Sequence, residues 1–210
     1  MKKITILMIL VFSIFSCDDI LKEVPKDRIS EANFCETVSD GRAAVDAIYG
    51  VLSAGQLFAH QYLLQIEIPA DFAYGRGSTM PIGGEYTGLD AVNQRRVGLM
   101  WDYFYQAVNY ANIAIEKIPE IEGDESAKSV LVAEAKFLRA LCYYHLVRDF
   151  GAVPLRLNST DGDMARTPVA DVYNAVIADL QAAESGLPAS ITVYGRPSKW
   201  GAKIMFAEVY

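Results

Sequence analysis

Between Ala70 and Arg96 the chain sets three aromatic rings, Phe72, Tyr74 and Tyr86, among carboxylate, amide and guanidinium groups supplied by Asp71, Arg76, Asp90, Asn93, Gln94 and Arg95. Sugar rings offer apolar C–H faces and rims of hydroxyls, and flat aromatic platforms flanked by such polar groups suit both. Asp71, Phe72, Tyr74, Arg76, Tyr86 and Asn93 are therefore the candidate ligand-binding residues. The same stretch holds Gly75, Gly77, Pro81, Gly83, Gly84 and Gly88 and keeps no hydrophobic period, so it reads as one long irregular loop. Loops of this length in compact domains are usually functional or disordered, and the aromatics argue against disorder. The competing reading is that Phe72 and Tyr86 only pin the loop to a core.

Catalysis has little to work with. A glycosidase needs two carboxylates held about 5–9.5 Å apart across a bond, and nothing in the sequence fixes such a pair among Asp71, Glu85 and Asp90. Gly75-Arg-Gly-Ser-Thr lacks the Gly-Lys-Ser/Thr ending of a phosphate loop and is no nucleophile elbow. There is no Cys-x-x-Cys, and the two histidines, His60 and His145, lie far apart. No metal, cofactor or enzymatic activity is expected. Calcium held by the acidic residues finds no EF-hand spacing in support. A net charge of −7 and the absence of a basic run after Lys3 speak against nucleic acid.

A different chemistry is written at the start of the chain. Lys2-Lys3, twelve apolar-rich residues from Ile4 to Phe15, and Ser16-Cys17 form a charged, greasy and small-residue series. At 1.5 Å per residue the apolar run reaches only about 18 Å, short of the ~20 residues that span a bilayer. It reads as a cleaved export signal. Ile14-Phe15-Ser16-Cys17 resembles the lipobox of bacterial lipoproteins, which would leave Cys17 as an acylated first residue anchored in a membrane. Residues 1–16 are then the signal peptide, 17–30 a polar tether and 31–210 a folded domain. Of the other cysteines, Cys142 sits in a periodic helix as a small hydrophobe, and a Cys35–Cys142 disulfide is an open alternative.

With 52% hydrophobic and 21% charged residues the chain can build a core, and its periodicity is helical. Ser39 is placed to cap a helix over 40–54 with Val45, Ile48, Tyr49 and Leu52 on one face. A short helix follows over 57–68, stopped by Pro69. Val97, Trp101, Phe104, Val108, Ala111, Ile115 and Ile118 alternate steps of four and three along a second long stripe. Asp124 opens a third, with Leu131, Ala135, Leu138, Cys142 and Leu146 inward and Gly151 as its stop. Thr167-Pro168 reads as a cap plus first-turn proline for a helix bearing Tyr173, Val176, Leu180, Ala183 and Leu187. Ser198 caps a last helix with Trp200, Ile204 and Ala207 inward. Both tryptophans read as core, while Tyr103, Tyr105 and Tyr110 fall off their stripe toward a groove or an interface. The expected class is all-α, with TPR-like antiparallel helix pairs interrupted by a long loop. The last helix carries no stop signal, which suggests a domain incomplete at its C-terminus.

Three segments resemble the SusD/RagB-like outer-membrane lipoproteins. They are Ala133-Glu-Ala-Lys-Phe-Leu-Arg-Ala-Leu-Cys-Tyr-Tyr-His-Leu-Val-Arg-Asp-Phe-Gly-Ala-Val-Pro-Leu155, the run from Thr167 to Leu180, and Gly195-Arg-Pro-Ser-Lys-Trp-Gly onward to Tyr210. The resemblance implies a lipid-anchored protein on the outer surface of a Gram-negative bacterium. It would capture a nutrient, usually an oligosaccharide or glycan, and act as a lid on a SusC-like TonB-dependent transporter. Asp18-Asp19 after the lipid cysteine is similar to that group's surface-export signal, although enterobacterial sorting would read it as inner-membrane retention. The alternative is the same architecture binding a peptide or serving as a protein–protein adaptor. In the hallmark helix Arg139 and Arg148 are expected to pair with carboxylates such as Glu134 or Asp149, as fold devices.

Overall fold

The computed structural model describes residues 36–72, 91–191 and 193–209, all within the compact unit 35–210. Among these residues there are six α-helices and no strand, apart from an isolated antiparallel bridge between Val153 and Thr167. The all-α expectation holds. The helices are α1 (Val38–Leu52), α2 (Gln61–Glu67), α3 (Ala91–Lys117), α4 (Glu125–Phe150), α5 (Val169–Gly186) and α6 (Lys199–Val209). Each packs on its chain neighbours from α3 onward, and α1 lies against both α3 and α4. None of the described helices is long and apolar enough to cross a membrane.

The start of α1 differs from the expectation, because the cap is Thr37 and Ser39 falls inside the first turn. Thr37 and Asp40 form a reciprocal capping box, the Asp40 N–H donating to Thr37 Oγ1 at 3.3 Å and the Thr37 N–H to the Asp40 carboxylate at 2.8 Å. Two otherwise orphaned donors are satisfied at once, which a lone Ser39 cap does not achieve. Val45, Ile48 and Leu52 are buried as expected. The short second helix starts at Gln61, preceded by turns over 53–60 that still bury Leu57.

The irregular stretch ends earlier than the sequence suggested, since 91–96 are the opening turns of α3. The chain leaves α3 through a 3-10 turn, Ile118–Glu120, whose Pro119 has no N–H to continue the ladder. Buried Lys128 reaches back to the Ile121 carbonyl at 2.8 Å and to Glu125 at 2.6 Å, placing a cation beside the carbonyl end of α3. Asp124 caps α4 and Gly151, with φ of +70°, closes it, both as read from sequence. The crossover that follows is pinned by two phenols. Tyr105 donates to the Pro154 carbonyl at 2.6 Å, and Tyr143 donates to the Arg156 carbonyl at 2.8 Å while accepting the Arg156 N–H at 2.7 Å. Tyr105 is therefore part of the bundle and not of an outer groove. The Thr167 N–H donates to the Val153 carbonyl, and Pro168 stands at the cap position of α5 without a side-chain bond, one residue later than the sequence suggested.

Two buried charge clusters tie the helices together. On α4, Arg139 forms a two-pronged pair with Asp179 of α5 at 2.7 and 2.8 Å, and donates further to Asn112 Oδ1 and the Leu157 carbonyl. Its partner is thus neither Glu134 nor Asp149. Those carboxylates lie on Arg139's own helix, whereas Asp179 faces it from the helix it packs against. Glu134, 3% exposed, instead collects Arg42 at 2.7 Å, Arg196 at 2.9 Å and the Tyr49 hydroxyl at 2.7 Å. Arg148 bonds the Tyr144 hydroxyl and lies over that ring.

Close approach of α4 and α5 depends on Gly186, where a Cβ would stand 2.6 Å from the Ala133 Cβ. Gly186→Ala gains about 1 kcal/mol of helix propensity but meets an overpacking cost of about 1–3 kcal/mol. The expected result is a net loss of about 1 kcal/mol by urea denaturation, restored by adding Ala133→Gly. A stabilised single variant would contradict it.

Candidate functional site

Of the segment with the candidate ligand-binding residues, the described ends are the turn after α2 and the first turns of α3, and α2 itself lies against α3 and the last turns of α4. Short α2 is fastened there by rings. Tyr62 packs edge-to-face on Phe58, Phe104 and His145 at centroid distances of 5.1, 5.6 and 5.1 Å, and its hydroxyl lies 2.7 Å from His145 Nδ1. Burial raises the Tyr62 phenol well above its ordinary range, and the Asp149 carboxyl within hydrogen-bonding reach adds to this. Burial also drives the His145 imidazole down to about 4, assisted by the Arg148 charge one turn on. Beside this cluster Trp101 contacts Tyr105 at 4.9 Å and Phe150 at 5.0 Å. It is half-buried, so one part of the ring serves the core and another meets solvent.

Of the candidate residues, Asp71 and Phe72 lie in the turn after α2, both exposed, with Phe72 at 81%. An aromatic ring this open does not pin the loop to the core, which removes that competing reading for Phe72. Tyr74, Arg76 and Tyr86 lie outside the described residues, as do Cys17 and Cys35. Asn93 belongs to the first turn of α3, so its backbone is helical and not part of a loop. Gln94 and Arg95 follow it on the exposed side of that helix. Cys142 is a buried free thiol pushed up to about 12 by desolvation, which leaves it inert. Among the described residues no group of three His, Cys, Asp or Glu side chains is placed to hold a metal ion.

One concavity was not anticipated. A groove of about 560 Å³ runs between α1, α4 and the turn at 191–197, lined by Tyr49, Phe58, Phe137, Leu141, Ile191 and Arg196. Its floor is set by the Glu134 cluster, with the Arg196 guanidinium 4.8 Å over the Tyr49 ring and 2.7 Å from Asp46. Nearby, α6 turns Trp200 (55% exposed) and Ile204 (65% exposed) to solvent and buries Ala202 and Met205, the opposite of the expected stripe. Small Ala202 lets α6 lie close on α5, so the inward face is chosen by fit and not by size.

Comparison with known proteins agrees with this architecture. Residues 76–210 match a SusD-like family described as starch-binding associating with outer membrane. SusD-like protein P25 of Formosa agariphila is 30% identical over all of this chain, which covers 42% of that protein. SusD-like protein P2 of the same organism is also 30% identical over the whole chain, which covers 43% of it. A solved laminarin binding SusD-like protein superposes with a TM-score of 0.73 at 27% identity, over 82% of this chain and 39% of the other. The chain thus spans about two fifths of the length of these relatives.

Proposed function

This chain belongs to the SusD-like family, and from that premise we propose that it is a non-catalytic, surface-anchored binder of an oligosaccharide or glycan. Its cargo passes to a SusC-like TonB-dependent transporter in the outer membrane, and Cys17 carries the lipid. The observation that carries the binding role is Phe72, an exposed ring beside Asp71 on a turn fixed to the helical scaffold through Tyr62. Aromatic platforms held by rigid elements are suited to stack on sugar faces. The likeness to a laminarin binding protein makes β-glucans the first ligands to try.

Affinity electrophoresis and calorimetry of the acylation-free chain against a polysaccharide panel test this. Phe72→Ala is expected to weaken the best ligand about tenfold, equivalent to roughly 1.4 kcal/mol, with no change in melting temperature. Retained affinity in Phe72→Ala would remove this ring from the site. A second reading, a peptide or protein adaptor, draws on the apolar groove beside Ile191. Uniform silence toward sugars together with capture of the transporter would favour it.

A further inference from the structure

His145 and Tyr62 join two parts of the molecule of very different size. α2 has seven residues, too few to be stable alone, while α4 runs through the centre of the bundle. We propose that the Tyr62–His145 contact is an acid-sensitive latch, protonation of the imidazole loosening α2 and the turn that carries Phe72 from the bundle. The proposal deepens the binding role above by giving that site a regulator, but the loosening itself needs no ligand.

The geometry gives the reason. The Tyr62 hydroxyl lies 2.7 Å from Nδ1, and where the neutral imidazole carries its proton on Nε2 that Nδ1 accepts from the hydroxyl. Once protonated, both ring nitrogens are donors, so the contact at Nδ1 then needs the hydroxyl to turn its own proton toward the Asp149 carboxyl within its reach. The groups that face the pair are Tyr144, Arg148 and Asp149 from α4, with Glu208 of α6 reaching the Tyr144 hydroxyl. The elements on the other sides, α3 and the turns before α2, present the rings of Phe104 and Phe58, which do not titrate. An imidazolium here is desolvated against rings and repelled by Arg148. Asp149, whose carboxyl is itself raised by burial, is a weakened counter-charge as the pH falls. Opening α2 rehydrates the imidazole, so protonation favours the open form.

The sign follows from linkage. The closed form holds the imidazole at about 4, against an ordinary 6.5 when open. The open form therefore binds more protons between these values, and closure is lost as pH falls through that window. Amide exchange of the peptide 58–72 in the unliganded chain, corrected for intrinsic rates, is expected to show an opening constant that rises about tenfold per pH unit below 6.5. Amides of α5 should rise less steeply. His145→Gln, which keeps a neutral acceptor, should flatten the slope. NMR titration of the two imidazoles gives a readout that depends on no variant, with exposed His60 as the reference. An ordinary value for His145, or an unchanged slope in His145→Gln, would overturn the latch. Failure to bind any glycan would leave both readouts intact and count only against the binding role.

Discussion

Arg139→Met is expected to lower the melting temperature of this chain by about 10 °C in calorimetry. The methionine keeps much of the packing but removes donors to Asp179, Asn112 Oδ1 and the Leu157 carbonyl. The Asp179 side chain is only 9% exposed, so its charge is left without a partner away from water. Breaking one side of such a pair costs about 3–5 kcal/mol, and a domain of this size loses about 2–4 °C per kcal/mol. The pair itself contributes far less than that figure, because both charges were desolvated to make it. Arg139→Met combined with Asp179→Leu should therefore recover more than half of the loss. A single variant that melts within 2 °C of the parent would show that water enters the site freely.

The second large effect belongs to Glu134. Glu134→Ala deprives Arg42, Arg196 and Tyr49 of their common acceptor, and is expected to cost about 3 kcal/mol. The loss should fall below that of Arg139→Met because the arginines, 37% and 26% exposed, can turn to water. Arg196 also holds the turn that follows Ile191, so this variant should be cut by chymotrypsin after Tyr194 in the native state faster than the parent. Urea denaturation and a timed digest check the two halves separately. An Arg196→Met variant gives the third corner of a cycle with Glu134→Ala, and a coupling near zero would deny that the two side chains act together.

The helices were legible wherever one face met one core. The α3 and α4 stripes, the Asp124 cap and the Gly151 stop follow from local chemistry, and they stand where the sequence put them. What escaped the sequence were choices between equivalent local options settled at long range. Thr37 displaced Ser39 as a cap because Asp40 could reciprocate, and at the start of α5 the cap position fell to Pro168 and not Thr167. On α6 the larger apolar residues pointed outward because Ala202 allowed a closer approach to α5. Arg139 and Glu134 were recognised as fold devices, but their charged partners lie 40 to 92 residues away, and periodicity carries no information over such separations. Of the candidate site, Phe72 was named from its residue type, and its exposure came from the structure. The groove at Ile191 was not named, since three separate segments build it.

The reach of Glu134 has a consequence in the order of synthesis. Arg42 is made 92 residues before this carboxylate and Arg196 62 residues after it. A chain emerging from its N-terminus can bring α1 onto α4 with one arginine in place, but the second counter-charge and the closing turn arrive only at the end of the segment. Closure of the Glu134 cluster is thereby timed to the appearance of Gly195-Arg196-Pro197, with α6 still to be added. A late-arriving cation acts as the clasp on a scaffold otherwise assembled from neighbours.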